Sequence, residues 1–223
     1  MASKLQKVVQ KTRVLVVDDH PLVRYALTWL LNKTADLECC GEAEGVVTAR
    51  AAVTKLAPDF VLLDLSLGDG DGFELIPEWK HAVPAMKVVV ISRHDEAVFA
   101  ERSLRAGADG FITKEESSEE ILRSIRLVIG GRRYVSDKIA AQVMKRLAES
   151  PTRKGRDGIE GLSDRELQVF RMLGEGRNNK EIAQLLTLSP KTVETYRDNI
   201  KHKLGFPDSV SLIRHAAIWS DRK

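Results

Sequence analysis

Between Arg13 and Ile129 the chain alternates two patterns. Short β-type runs ("RVLVVD" 13–18, "LECCGEA" 37–43, "DFVLLD" 59–64, "MKVVVIS" 86–92, "GFIT" 110–113), three of them nearly all Val, Leu and Ile, are each followed by a stretch with helical spacing, at 21–32, 46–56, 73–80, 96–106 and 117–129. Strands that alternate with single helices connect by right-handed crossovers into a parallel sheet covered on both faces, which explains runs as uniformly apolar as "FVLL" and "VVVI". The pattern predicts an α/β domain with a doubly wound, five-stranded parallel sheet. From 130 the rhythm breaks: Ser136 is placed to cap a helix running to about Glu149, and "SPTRKGRDG" is polar and rich in breakers. Four helical stretches without a strand signal then predict a small, all-α second domain. The boundaries read 12–131, a linker with a helix over 132–160, and 161–223.

Composition adds a contrast between the halves. Of 223 residues, 43% are hydrophobic, which is ordinary for a globular chain. Residues 1–130 carry 16 Lys and Arg against 20 Asp and Glu, whereas residues 131–223 carry 19 against 12. A basic second half points to a polyanionic partner. No apolar run approaches the roughly 20 residues of a membrane span, and "MASKLQKVVQKTR" lacks the apolar core of a secretory signal, so the expectation is a cytoplasmic protein with no membrane partner. Cys39 and Cys40, adjacent in a strand, read as half-buried strand residues rather than a disulfide or a metal site.

The strand ends carry the chemistry. In open α/β sheets ligands bind beyond the carboxyl ends of the strands, and there the sequence places Asp18 and Asp19 after the first strand, Asp64 after the third, Ser92 after the fourth and Lys114 past the fifth. Each has an ordinary explanation alone: a helix cap, a loop hydroxyl, a solvated lysine. Five polar groups on four strand ends have none in common. Three converging carboxylates call for a hard divalent cation such as Mg²⁺, and a carboxylate beside that cation can attack a phosphoryl group. Asp64 is placed as that nucleophile, Lys114 and Ser92 as partners for phosphoryl oxygens.

The segments "VLVVDDHPLVRYAL", "LLDLSLGDGDGFEL", "VVVIS" and "AGADGFITK" resemble the receiver domain of two-component response regulators, over about 12–131. The resemblance implies the flavodoxin-like strand order 2-1-3-4-5, with Asp64 as the phosphoacceptor. It also implies Asp19 as a direct Mg²⁺ ligand, Asp18 as a ligand through water, Ser66 as the donor of a backbone carbonyl to the metal, and Ser92 and Phe111 as a switch pair. A receiver of this kind catalyses only its own phosphoryl transfer and dephosphorylation. Three departures flank the pocket: Glu115 replaces the proline that commonly follows the lysine, removing the usual support for a cis peptide there; Arg93 replaces a small residue; and "GDGD" replaces a frequent Pro-Gly pair after Ser66.

The second domain is punctuated by helix starts. Ser163 with Glu166 forms a capping box with Leu162 and Leu167 as its staple, Asn178 with Glu181 a second, and Ser189 with Pro190 begins a helix that Gly205 stops. The two helices joined at "TLS" make a helix-turn-helix. At about 100° per residue, Val193, Ile200 and Leu204 face inward, leaving Lys191, Thr195, Asp198 and His202 outward, a polar face suited to a major groove. "LSDRELQVFRMLGEGRNNKEIAQLLTLSPKTVETYRDNIKHKLGF" resembles the LuxR/FixJ DNA-binding domain, and the whole chain a NarL/FixJ-type response regulator. Carried over by position, Lys180, Lys191, Thr192, Tyr196, Arg197 and Lys201 contact DNA phosphates, while Glu194, Thr195 and Asp198 read bases. Glu194 and Asp198 stand where lysine is frequent; acids accept from cytosine N4, so cytosine-side readout is expected.

The expected function is a transcription regulator phosphorylated on Asp64 by a sensor histidine kinase or a small acyl-phosphate donor. Phosphorylation releases the output domain, drives formation of a homodimer on promoter half-sites of double-stranded DNA, or does both. Two alternatives stand beside it: a DNA-binding regulator whose receiver is a phosphorylation-independent interaction module, and an Asp-nucleophile phosphatase of the haloacid-dehalogenase kind.

Overall fold

The computed structural model describes residues 11–92, 97–149, 158–186 and 188–220. The chain divides into two compact units, one holding 1–93 and 102–136, the other 94–101 and 137–223. In the first, the predicted alternation is observed: β1 (Thr12–Val17), α1 (Pro21–Asn32), β2 (Leu37–Ala43), α2 (Val46–Leu56) and β3 (Phe60–Leu63) come in order. After β3 comes a feature the apolar pattern does not signal, a two-stranded antiparallel hairpin of β4 (Ser66–Leu67) and β5 (Gly70–Asp71). A short 3-10 turn (Gly72–Glu74) then leads into α3 (Leu75–Ala82), β6 (Lys87–Ser92), α4 (Ala97–Arg105), whose residues up to Glu101 are counted with the second unit, β7 (Gly110–Thr113) and α5 (Ser118–Ile129).

The main sheet has the order β2-β1-β3-β6-β7, all parallel, plus a sixth strand, β8 (Tyr134–Val135), beyond β7. The expected order of the five long strands holds, but the count is six, because two residues offer no periodicity to read. Gly110 is what lets β8 approach: a Cβ there would lie 2.8 Å from the Tyr134 carbonyl oxygen. Side chains alternate across the sheet. Val14, Val16, Leu62, Val89, Ile91 and Ile112 face one side and pack with Leu27 and Leu31 of α1 and Ile121, Ile125 and Val128 of α5. The intervening Leu15, Val17, Val61, Leu63, Val88 and Val90 are equally buried on the other. Burial on both faces forces all charge on these strands to their ends, and this positions the site. Cys39 and Cys40 are free, half-buried residues of β2.

The second unit is helical among its described residues: α6 (Asp137–Glu149), a 3-10 turn (Ile159–Gly161), α7 (Asp164–Gly174), α8 (Asn179–Leu185), α9 (Pro190–Lys203) and α10 (Ser209–Ser220). Both capping boxes form, Ser163 with Glu166 and Asn178 with Glu181, and the Ser189 hydroxyl accepts from the Thr192 amide at the start of α9. Gly205, at φ +70°, ends α9 in the left-handed conformation glycine adopts without strain. Glu166 does more than cap. Buried, its carboxylate also accepts from Lys203 Nζ at 2.6 Å, tying α7 to the end of α9; burial alone would raise its pKa, but Lys203 and Ser163 hold it below the usual range. Arg93 and residues 150–157, part of the expected linker, lie outside the described residues. No described helix is long and apolar enough to cross a membrane.

The close approach at Gly110 gives a stability prediction. Gly110→Ala is expected to cost about 1–3 kcal/mol by overpacking between β7 and β8, read as a lower urea midpoint; an unchanged midpoint would show that β8 pairs too loosely to resist a methyl group.

Candidate functional site

Asp18 follows β1, Asp64 follows β3 and Lys114 follows β7, so the sheet delivers all three to one edge. Both carboxylates are buried, Asp18 at 0% and Asp64 at 2% exposure. Lys114 Nζ bridges them, 2.7 Å from Asp64 Oδ2 and 2.5 Å from Asp18 Oδ2. Asp64 Oδ1 accepts from the Ser66 amide at 3.2 Å, and Asp18 Oδ1 from the His20 amide at 2.9 Å. The bland reading of Asp18 or Asp19 as a cap for α1 does not hold: the N-cap position is His20, and no side chain caps that helix. Asp18 turns inward instead.

His20 is the residue sequence reasoning missed. Its Nδ1 lies 2.5 Å from Asp19 Oδ1 and 3.4 Å from Asp18 Oδ1. Ligand atoms of Asp18, Asp19, His20 and Asp64 all fall within 4.8 Å of one another. The available signal was its place: an imidazole directly after two aspartates at a strand's carboxyl end.

One ammonium for two buried carboxylates leaves the pocket short of positive charge. Burial pushes the Asp64 carboxyl up to about 6; Lys114 opposes the rise and the charge on Asp18 adds to it. Oxygen-rich, anionic and partly open at Asp19, the donor set fits a hard divalent cation. Ser92, at the end of β6, is buried, and its carbonyl accepts from the Lys114 amide at 2.7 Å, fixing the turn that aims the lysine. Phe111 is wholly buried on β7, paired in register with Val90. Ser66 lies in β4 of the hairpin. Among the described residues there is no cis peptide, so Lys114–Glu115 is trans, as the absence of proline there allows.

The candidate DNA-facing residues lie on α9, with Lys180 on α8. Val193 and Ile200 are fully buried, which turns Lys191, Glu194, Thr195, Asp198, Asn199 and His202 outward as the helical spacing requires. The two unusual acids are paired along their own helix: Lys191 Nζ to Glu194 and Lys201 Nζ to Asp198, each at 2.8 Å. Arg197 donates to Asn179 Oδ1 at 2.7 Å, bracing α9 on α8, while Thr192 and Tyr196 are half-buried.

Comparison with known proteins agrees with this architecture. Residues 14–126 match the response regulator receiver domain family, and residues 160–216 the bacterial regulatory proteins of the luxR family. The transcriptional regulatory protein MctR of Rhizobium johnstonii is 34% identical over 92% of this chain and 93% of its own length. The response regulator GacA of Pseudomonas aeruginosa is 35% identical over 92% and 97%. In fold, RcsB of Salmonella typhimurium superposes with a TM-score of 0.76 at 21% identity, covering 94% of this chain and 98% of that one. The chain belongs to the two-component response regulators that join a receiver to a LuxR-type helix-turn-helix domain. Membership in the receiver family sets aside the haloacid-dehalogenase alternative.

The raised Asp64 carboxyl makes a prediction with a defined sign. The folded value of about 6 exceeds the ordinary 3.8, so the metal-free protein loses stability as pH rises from about 4 through 6. Above that window the deficit is roughly 3 kcal/mol. Asp64→Asn removes the charge, and its melting temperature in EDTA is expected to exceed wild type at pH 7.5 but not at pH 4. Equal melting at both would mean that Asp64 ionises without penalty.

Proposed function

We propose that this protein regulates transcription through phosphorylation of Asp64, with residues 12–131 as receiver and 161–223 as DNA-binding domain. The observation that carries the proposal is the buried Asp18–Lys114–Asp64 bridge at the carboxyl edge of the sheet. An Asp64 oxygen attacks phosphorus, the bond to the donor's imidazole nitrogen or acyl oxygen breaks, and the leaving group departs with those electrons. The donor is a sensor histidine kinase or a small acyl phosphate. Mg²⁺, when bound, neutralises the phosphoryl oxygens. Asp19, Asp64 and the Ser66 carbonyl would hold it directly and Asp18 through water, with His20 beside the Asp19 carboxylate.

The protein's own groups do the rest. Lys114 exchanges a carboxylate for a phosphoryl oxygen, and the Ser92 hydroxyl moves toward another. Phe111, beside the vacated space, reorients and alters one face of the receiver. The released output domain pairs with a second copy on DNA half-sites, where two modest affinities combine. Phosphoryl transfer and later hydrolysis at Asp64 are the only reactions assigned, and the cytoplasm is the setting that these partners require.

On DNA, α9 enters the major groove with Lys180, Lys191, Thr192, Tyr196, Arg197 and Lys201 toward phosphates. The Lys191–Glu194 and Lys201–Asp198 pairs support a division of labour: on contact each lysine is drawn to a phosphate, leaving its carboxylate to accept from a base. The intrahelical pairs also mask two positive charges before contact, which lowers non-specific affinity.

Two measurements test the halves separately. Asp64→Ala is expected to take up no label from acyl phosphate with Mg²⁺, and a label that persists would place the acceptor elsewhere. In a selection from random duplexes, Glu194→Ala is expected to relax a cytosine preference, worth about 1–3 kcal/mol per specific contact; an unaltered consensus would refute acidic base readout.

A further inference from the structure

The resemblance that assigns the pocket gives Asp69 no role, and the residue stands in the "GDGD" segment after Ser66. Its carboxylate leaves the hairpin and reaches the start of α2: Oδ1 accepts from the Val46 amide at 2.7 Å and Oδ2 from the Val47 amide at 3.2 Å. Helix α2 needs such a partner, because its N-cap residue is Gly45, which has no side chain to offer. The fit is specific, since a Cβ on Gly45 would fall onto the Asp69 carboxylate. A negative charge at that end is also favoured by the helix dipole.

The other end of the same hairpin is the phosphoacceptor's support. Ser66 pairs with Asp71 and Leu67 with Gly70, and the Ser66 amide donates to Asp64 Oδ1. Gly68 lies close to Asp19: a Cβ there would sit 3.8 Å from Asp19 Oδ2. At the exit, the Asp71 carboxylate accepts from the Phe73 amide at 2.7 Å, and Gly72 packs so tightly on the Asp64 carbonyl that it has no room for a Cβ. The hairpin is therefore held at its base by Asp64 and Asp71 and at its tip by Asp69 alone among the described contacts.

We infer that Asp69 is a positioning residue for the metal site: by clamping the hairpin tip to the N-terminus of α2, it holds the Ser66 backbone and the Gly68 turn against the carboxylates that bind Mg²⁺. The inference rests on the reading of Asp18, Asp19, Asp64 and Ser66 as the Mg²⁺ site. Loops that carry ligands pay in entropy each time they close, and a tether that keeps the loop formed raises the affinity of whatever it lines. A proline in the same segment would restrict the backbone directly; here two hydrogen bonds to a helix do the restricting.

The test separates clamping from ordinary helix capping. Asp69→Gly removes both the cap and the tether. Adding Gly45→Ser to it supplies a local cap in the space the carboxylate vacated, so the double variant recaps α2 without restoring the tether. Mg²⁺ affinity is measured on the full chain by isothermal titration calorimetry, and the melting temperature in EDTA. Asp69→Gly is expected to weaken Mg²⁺ binding about tenfold, in the range of lost supporting contacts at metal sites, and to lower the melting temperature. The double variant is expected to regain the melting temperature and keep the weakened binding. Wild-type affinity in Asp69→Gly, or recovery of both properties in the double variant, would overturn the inference and leave Asp69 a helix cap. If Asp69→Gly does not fold, Asp69→Ala, which also removes both acceptor oxygens and vacates the same space, carries the same comparison. A wild-type protein that binds no Mg²⁺ at all would count against the metal-site reading itself, which keeps the two failures apart.

Discussion

Asp18 and Asp64 can be buried at the edge of an apolar sheet only because Lys114 reaches both at once. Two ionised carboxylates without a counter-charge would repel each other in a medium that screens poorly, and one would stay protonated. The ammonium resolves this in part: the Asp64 carboxyl still titrates near 6. That residual imbalance matters for function, because a pocket fully neutralised by its own side chains would gain little from a cation. A cation bound here would relieve repulsion that the fold leaves in place, beside the Asp64 oxygen proposed as the nucleophile. The strand register follows from the same constraint. β1, β3 and β7 must end level for Lys114 to span the gap, and their parallel pairing, with Val17 beside Leu63, makes β1 and β3 do so.

The helical domain meets a milder version of the problem. Its helices are short, so their unpaired end groups are a large fraction of their backbone. Capping boxes satisfy them locally, and Glu166 extends one cap into a tertiary contact by also receiving Lys203. With α9 fixed to α7 at one end and to α8 through Arg197 and Asn179, its outward face is presented on a rigid rod rather than a loop. Rigid presentation matters for groove recognition, where the side chains have to arrive in register with base edges.

Much of this was legible in the sequence, for a physical reason. Parallel strands bury both faces and so expel charge to their ends, which makes Asp18, Asp64 and Lys114 conspicuous before any coordinates exist. Caps are legible too, because Ser163, Asn178 and Ser189 act on amides two or three residues away. Signals failed where contacts are distant or elements too short for a period. β8 is two residues long and depends on the missing side chain of Gly110; the hairpin at Ser66–Asp71 is rich in glycine and reads as a loop. His20, before a proline at a helix start, looks like an ordinary entry residue until the turn at Asp18 folds its ring back toward Asp19.

The least legible contact is the one between Asp69 and α2, for both partners hide it. Gly45 carries no group that would announce a cap, and Asp69 sits in a segment whose glycines suggest freedom rather than restraint. Distant in sequence, the two are complementary, since the absent side chain of one makes room for the carboxylate of the other. Such a pairing turns a departure from the usual pattern into a substitute for it. Where a proline stiffens the backbone of the loop after Asp64 from within, an aspartate anchored on a neighbouring helix stiffens it from outside, and couples the pocket to α2 in a way that a local backbone restraint does not.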